Sequence, residues 1–268
     1  FRKTDRNAVV YLREGQVVPY PIENHVYMLD DAIQQGFDKD LYELEQKQKE
    51  CTPNNFEQFL QLRFGQTLYD LYFEPYNRKV WQRPLNTIPL SWLEGKLPMP
   101  TVEEMRENNR NHVEEKQFVH SSFYYENENG SQFIADRLAE GLNIHYDTDI
   151  NRLEYASDAW IVNGEKYDYV FFCGNIKQLP SIIRGVEINE YVEPIDRLES
   201  HGTTAVFCEI DRNPYSWIYQ PSASHRSHRI ICTGNFAATN NDTSIAEGRM
   251  TATIEFTDEI SEQEIRAE

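Results

Sequence analysis

The sequence predicts an α+β chain, and three observations carry that reading. Up to about residue 117 apolar positions recur mostly at helical spacing, whereas beyond it short apolar runs alternate with turn residues. Within the first half, VVYLREGQVVPYPI (9–22) alternates apolar and polar residues around Glu14-Gly15-Gln16, as two strands joined by a tight turn do. The charge-rich TVEEMRENNRNHVEEKQ (101–117) divides the two regimes and reads as a mobile or solvent-facing segment.

The elements follow in order. Residues 30–50 carry an acidic start and helical periodicity broken at Gly36, which predicts two short helices. Asn55 caps the next helix, whose Phe56, Phe59, Leu60 and Phe64 share a face. A further helix over Thr67 to Phe73 should stop before Pro75, so that YNRKVW (76–81) begins just past a helix end. Pro84, Pro89, Pro98 and Pro100 make 82–101 extended or irregular. Later come a helix over 131–140 and strands near 143–153, 158–162 and 168–173, the last two joined at Asn163-Gly164. Strands over 203–210, 217–220 and 229–235 and a last helix within 247–265 complete the chain.

Hydrophobic residues make up 40% and aromatics 13% of the 268 residues, enough for a sizeable packed core. Against 44 acidic residues stand 26 basic ones, a net charge of −18 that repels nucleic-acid phosphate and anionic lipid. An anionic small ligand then requires local cations. Cys51, Cys173, Cys208 and Cys232 form no CxxC, and Cys173 and Cys208 sit in apolar runs, as buried reduced thiols do. No apolar run reaches about eighteen residues, and FRKTDRN has neither a signal-peptide core nor an initiating Met. The expectation is a cytoplasmic protein without membrane insertion, cut from a longer chain. HRSH (225–228) has no acidic neighbour to support a metal site, and no GxSxG, HExxH or P-loop pattern occurs. None of the twelve glycines forms GxGxxG or GxG, so these residues contain no dinucleotide phosphate loop.

YNRKVW is the stretch with chemistry to weigh. Tyr72 and Tyr76 lie four apart and would stack on a helical face, with Trp81 as the opposing wall of a slot for a planar base. Arg78 and Lys79 would offer phosphate contacts or complement a helix C-terminus. The other reading, toward which pattern alone leans, is aromatics filling a core beside two solvated cations.

Five stretches in order carry a wider likeness: GQVVPYPI, LRFGQTLYDLYFEPYNRKVWQRPLNTIPLSW, GSQFIADRLAEGLNIHYDTDINRLE, NGEKYDYVFFCGN and CTGNF. Together they resemble the interior of UDP-galactopyranose mutase-like proteins, within the flavin-dependent amine-oxidase or protoporphyrinogen-oxidase-like superfamily. Residues 64–92 are the most specific part. The resemblance implies an α+β flavoprotein fragment: a mainly helical substrate-side portion over 1–117, a helix and strand meander of the FAD domain over 118–175, and a sheet-rich substrate portion over 176–268. It implies FAD in the intact protein, not retained by these residues alone.

The implied activity is flavin-mediated ring contraction of UDP-galactopyranose to UDP-galactofuranose, as in cell-surface polysaccharide biosynthesis. A flavin-dependent amine oxidoreductase and a non-catalytic binding domain are the alternatives. The implied partner is a nucleotide-sugar or other small molecule, with no nucleic acid and with homo-oligomers possible. Tyr72, Tyr76, Asn77 and Trp81 would line the uridine pocket, and Arg78, Lys79 and Lys96 would supply charge for the diphosphate. Tyr124 and Tyr125 would make hydroxyl contacts, and Ile150 would touch the flavin's adenosine end; no catalytic residue is assigned. The chain departs from the family where Lys96-Leu97-Pro98-Met99-Pro100 replaces an Arg-x-Pro-x-Arg run, and where a glycine pair is reduced to Gly130.

Overall fold

Alternation around Gly15 does produce a hairpin. In the computed structural model, which describes residues 1–12, 15–93, 100–113 and 122–268, strand β1 (Arg2–Asp5) leads into β2 (Ala8–Tyr11). Strand β2 pairs antiparallel with β3 (Val17–Pro19). Helix α1 (Asp31–Glu50) then runs unbroken through Gly36, correcting the expectation of two short helices. Gly36 serves close packing instead, since a Cβ there would lie 2.7 Å from Thr67 Oγ1. The helix buries Phe37, Leu41 and Leu44 on one stripe.

Helix α2 (Phe56–Leu68) is capped by Asn55, whose side chain accepts from the Gln58 N–H at 2.9 Å, and it buries Phe56, Leu60 and Phe64. Its break is at Gly65 (φ 83°, ψ 167°). A single π turn over Tyr69–Phe73 follows and passes directly into α3 (Glu74–Trp81), so YNRKVW lies inside a helix rather than after one. The π turn is the physical reason. It carries the ladder from the Glu74 N–H to the Tyr69 carbonyl, placing Pro75 in the first turn of α3, where a proline's missing N–H costs little.

Helix α4 (Val102–Asn111) gives a buried edge to the stretch 101–117, which the sequence reads as mobile or solvent-facing. Thr101 and Glu104 form a reciprocal capping box, and Val102 and Met105 are buried three residues apart. Residues 114–117 of that stretch fall outside the described residues.

Strand β4 (Ser122–Tyr125) pairs antiparallel with β1. Then come α5 (Gln132–Ala139), β5 (Leu153–Ala156), β6 (Ala159–Val162) and β7 (Glu165–Tyr167). The β6–β7 turn has Asn163 at φ 50° and Gly164 at φ 90°, the two positive angles that a two-residue hairpin favours. After α6 (Leu179–Ile182), β8 (Ile183–Arg184) and α7 (Asn189–Asp196), the chain forms β9 (Thr203–Asp211), β10 (Trp217–Tyr219) and β11 (Arg229–Ile231). Strand β12 (Arg249–Thr257), unforeseen in the sequence, pairs with β9 along its whole length, and α8 (Glu262–Ala267) is the expected last helix.

The fold is α+β, in two compact units: residues 1–135 with 202–268, and residues 136–201. In the first, the sheet order is β3-β2-β10-β11-β12-β9, the β2–β10 pair being parallel and its other pairs antiparallel. The N-terminal hairpin thus extends a C-terminal meander; α1, α2 and α4 pack their buried faces into a core with Val10, Val18 and Ile22, and α3 sets half-buried Tyr76 and Trp81 against it. The second unit has the order β7-β6-β5-β8.

Two expected strands are corrected there. Of 143–153 only Leu153 lies in a ladder, and 168–173 forms none. A strand needs a neighbour for its N–H and C=O groups, and the described residues supply none to these segments. Cys173 is therefore exposed, and Cys208, although paired in β9, is half-buried, so neither is the core thiol expected. Among the described residues no helix is long and apolar enough to cross a membrane.

Candidate functional site

The π turn and α3 place the residues of YNRKVW in the first unit. Tyr72 and Tyr76 stack as their spacing predicts, with ring centroids 5.4 Å apart and planes 16° apart. Tyr72 is only 3% exposed, Tyr76 is half-buried, and burial pushes both phenols up, so both keep their protons. Asn77 Nδ2 donates to the Phe73 carbonyl at 2.7 Å, one turn back.

Trp81 is not brought to the tyrosines. Five residues along a helix rotate a side chain about 140° from its starting face. Its half-buried ring lies 5.0 Å from Trp92 and 6.4 Å from Phe56, packed against the core. The wall facing Tyr76 is Tyr219 of β10, edge-on at 5.5 Å, and Tyr20 lies 5.0 Å from Tyr219 in turn.

The cations also disperse. Arg78 pairs with Glu74 on its own helix and is exposed. Lys79 Nζ donates to the Gln220 carbonyl at 2.7 Å and to the Ser227 carbonyl at 3.1 Å, which ties α3 to the β10–β11 loop. Ser227 Oγ donates onward, 2.8 Å from Gln220 Oε1 and 2.8 Å from Glu268 Oε1. Burial pulls the Lys79 ammonium down to about 8, against the opposing pull of the Glu268 carboxylate. Between that value and 10.5 the unfolded chain holds a proton the folded chain has shed, so this group makes stability rise with pH in that window. Lys79→Met is expected to flatten that rise, read from urea midpoints at pH 7.5, 8.5 and 9.5; parallel wild-type and variant profiles would contradict it.

Lys96 lies outside the described residues. Tyr124 and Tyr125 sit on β4 opposite Lys3 and Arg2 of β1. Tyr124 is exposed, while Tyr125 accepts from Asn240 Nδ2 at 3.3 Å. Ile150 belongs to the second unit, in the segment without a ladder.

Besides Tyr219 and Tyr20, three participants were not foreseen. Arg6 donates from Nη2 to the Tyr219 hydroxyl at 3.2 Å, and its guanidinium lies 4.9 Å from the Tyr20 ring centroid. Arg229 of β11 pairs with Glu255 of β12, its Nε donating at 2.7 Å. Glu23 is buried near Tyr20, and burial raises its carboxyl to about 7. The sequence signal for Arg6 and Tyr20 was their place in and beside the N-terminal hairpin, but their nearness to Tyr219 depends on the parallel β2–β10 pair. Chemically, the arrangement offers phenol faces and hydroxyls with the guanidinium groups of Arg6 and Arg229 beside them.

No family model matches the sequence. Solved structures do resemble it. A reduced UDP-galactopyranose mutase superposes with a TM-score of 0.81 at 20% identity, over 96% of this chain and 57% of that one. A fatty acid isomerase from P. acnes, described as producing CLA, gives 0.60 at 10% identity, over 99% of this chain and 63% of that one. A putrescine oxidase double mutant redesigned in cofactor binding gives 0.55 at 11%, with 99% and 63% covered. The chain thus spans 57% to 63% of the length of these structures. It has the fold found in UDP-galactopyranose mutase and putrescine oxidase.

Proposed function

We propose that the intact protein is a flavin-dependent enzyme of the mutase type and that these residues bind its nucleotide-sugar. The observation that carries the reading is the Tyr72–Tyr76 stack facing Tyr219, set in the stretch that most resembles the mutases. A half-buried phenol face beside further aromatics suits a nucleobase, and such stacking contributes about 1–3 kcal/mol per base. The flavin, when bound, would supply the nucleophile that opens and recloses the sugar ring without net redox change. These residues do not themselves fit a flavin pyrophosphate: the sequence has no GxG, and the turn that leads into α5 carries the single glycine Gly130. The role assigned to them is to hold and orient the sugar nucleotide.

Calorimetric titration with UDP tests this reading. Tyr76→Leu is expected to weaken binding at least tenfold, whereas Trp81→Leu, in the core group with Phe56 and Trp92, should lower the urea midpoint and leave UDP affinity within threefold. Failure of UDP to bind the wild type, or equal affinity in Tyr76→Leu, overturns it. The buried Glu23 carboxyl beside Tyr20 and near Tyr72 favours a second reading, a flavin-dependent amine oxidoreductase. Phenol faces and a carboxylate together attract a substrate ammonium.

A further inference from the structure

Of the cations expected to hold a diphosphate, Arg78 and Lys79 do not converge, each being engaged elsewhere. Positive charge gathers instead at the N-terminal strand. Arg2 and Thr4 share one face of β1, and Arg6 follows just beyond the strand's end. With Lys3, His25 and Asn235 they line a cleft of about 630 Å³, in which Asp5 is the one acid among the described lining residues. Arg2, Lys3 and Arg6 enter no ion pair among the described residues, in a chain of net charge −18.

An independent observation points the same way. Thr4 is only 7% exposed, and its Oγ1 is buried with no hydrogen-bond partner among the described residues. A buried hydroxyl left unpaired is costly, and an incoming phosphate oxygen would satisfy it. Beside Thr4, on the same face of the strand pair, lies an aromatic cluster. Phe123 sits opposite Thr4 in the β1–β4 register, 5.1 Å from Trp217 and 5.1 Å from Phe236, and Arg6 stands 5.8 Å from the Trp217 ring.

We propose that this cleft binds the diphosphate of the nucleotide ligand, with Arg2 and Arg6 as its charge and the Thr4 hydroxyl as a further partner. Arg6 also touches Tyr219, which faces Tyr76, so the anion and base sites are joined by one contact chain. The ligand's identity as a nucleotide rests on the reading above; the anion site itself does not.

Calorimetry with two probes, UDP and inorganic pyrophosphate, separates the two. Arg2→Gln, at an exposed position, and Thr4→Ser, which keeps the hydroxyl, are titrated beside wild type and Tyr76→Leu. Both probes should bind at least tenfold more weakly to Arg2→Gln and near wild-type strength to Thr4→Ser, while Tyr76→Leu weakens UDP alone. UDP binding that Arg2→Gln leaves unchanged overturns the cleft and spares the nucleotide reading. Pyrophosphate binding that Arg2→Gln abolishes, with UDP no tighter than pyrophosphate, keeps the anion site and overturns the nucleotide reading. Binding of neither probe overturns both.

Discussion

Gly65→Ala is expected to destabilise the protein by about 3–5 kcal/mol. The residue sits at φ 83°, ψ 167°, a region essentially closed to side chains, and that strain alone is about 1–3 kcal/mol. A Cβ there would also lie 2.5 Å from Asp40 Cβ. Asp40 could move only by disturbing the bond that its Oδ2 accepts from the Thr67 N–H at 2.6 Å, and hydrogen bonds to charged groups contribute about 1.5–3 kcal/mol. Urea unfolding of wild type and variant measures the loss. Gly141→Ala is the control, since Gly141 has φ 79° but nothing within 4 Å of its Cβ position, so it should show only the backbone part. If the two variants lose equal stability, contact with Asp40 does not require glycine at 65. The consequence reaches the site, because the break at Gly65 redirects the chain just before the π turn that carries Tyr72.

Glu23→Gln should stabilise the protein, and more so as pH rises. Glu23 is 5% exposed, and burial raises its carboxyl from 4.5 to about 7. Between those values the folded chain keeps a proton that the unfolded chain has released, so stability falls as pH climbs through the window. Above pH 7 the full cost of a buried carboxylate persists, on the order of 3 kcal/mol from the displacement. The amide carries no such cost. Urea midpoints at pH 5.5, 6.5 and 8 should diverge in favour of the variant, and equal stability at pH 8 would refute the argument. A carboxyl kept at that cost beside Tyr20 is what the amine reading would use.

Much of the fold was legible in particular residues. Asn55 announced its cap, Asn163-Gly164 its hairpin, and the i, i+4 spacing of Tyr72 and Tyr76 their stack, because each depends on atoms within a few residues. Pro75 misled because a proline is a breaker only if the turn before it stays α-helical; a π turn changes that register. Gly36 misled because its small size serves a neighbour in another helix. The apolar run 168–173 has strand propensity, yet Tyr169 and Phe171 are 82% and 88% exposed, since propensity supplies no hydrogen-bonding partner.

The candidate site divides along the same line. Sequence alone determined, through their i, i+4 spacing, that Tyr72 and Tyr76 would stack, although it placed YNRKVW past a helix end rather than inside α3. Only the tertiary structure decided what faces them. Lys79 meets Gln220 and Ser227, 141 and 148 residues away, and Arg6 meets Tyr219 across 213 residues. Helical periodicity fixes which side of its own helix a side chain occupies, whereas its partner is set by strand order and by the parallel pairing of β2 with β10. That is why Trp81, so near Tyr76 in sequence, packs on Trp92, and why the charge for an anion gathers at Arg2 and Arg6.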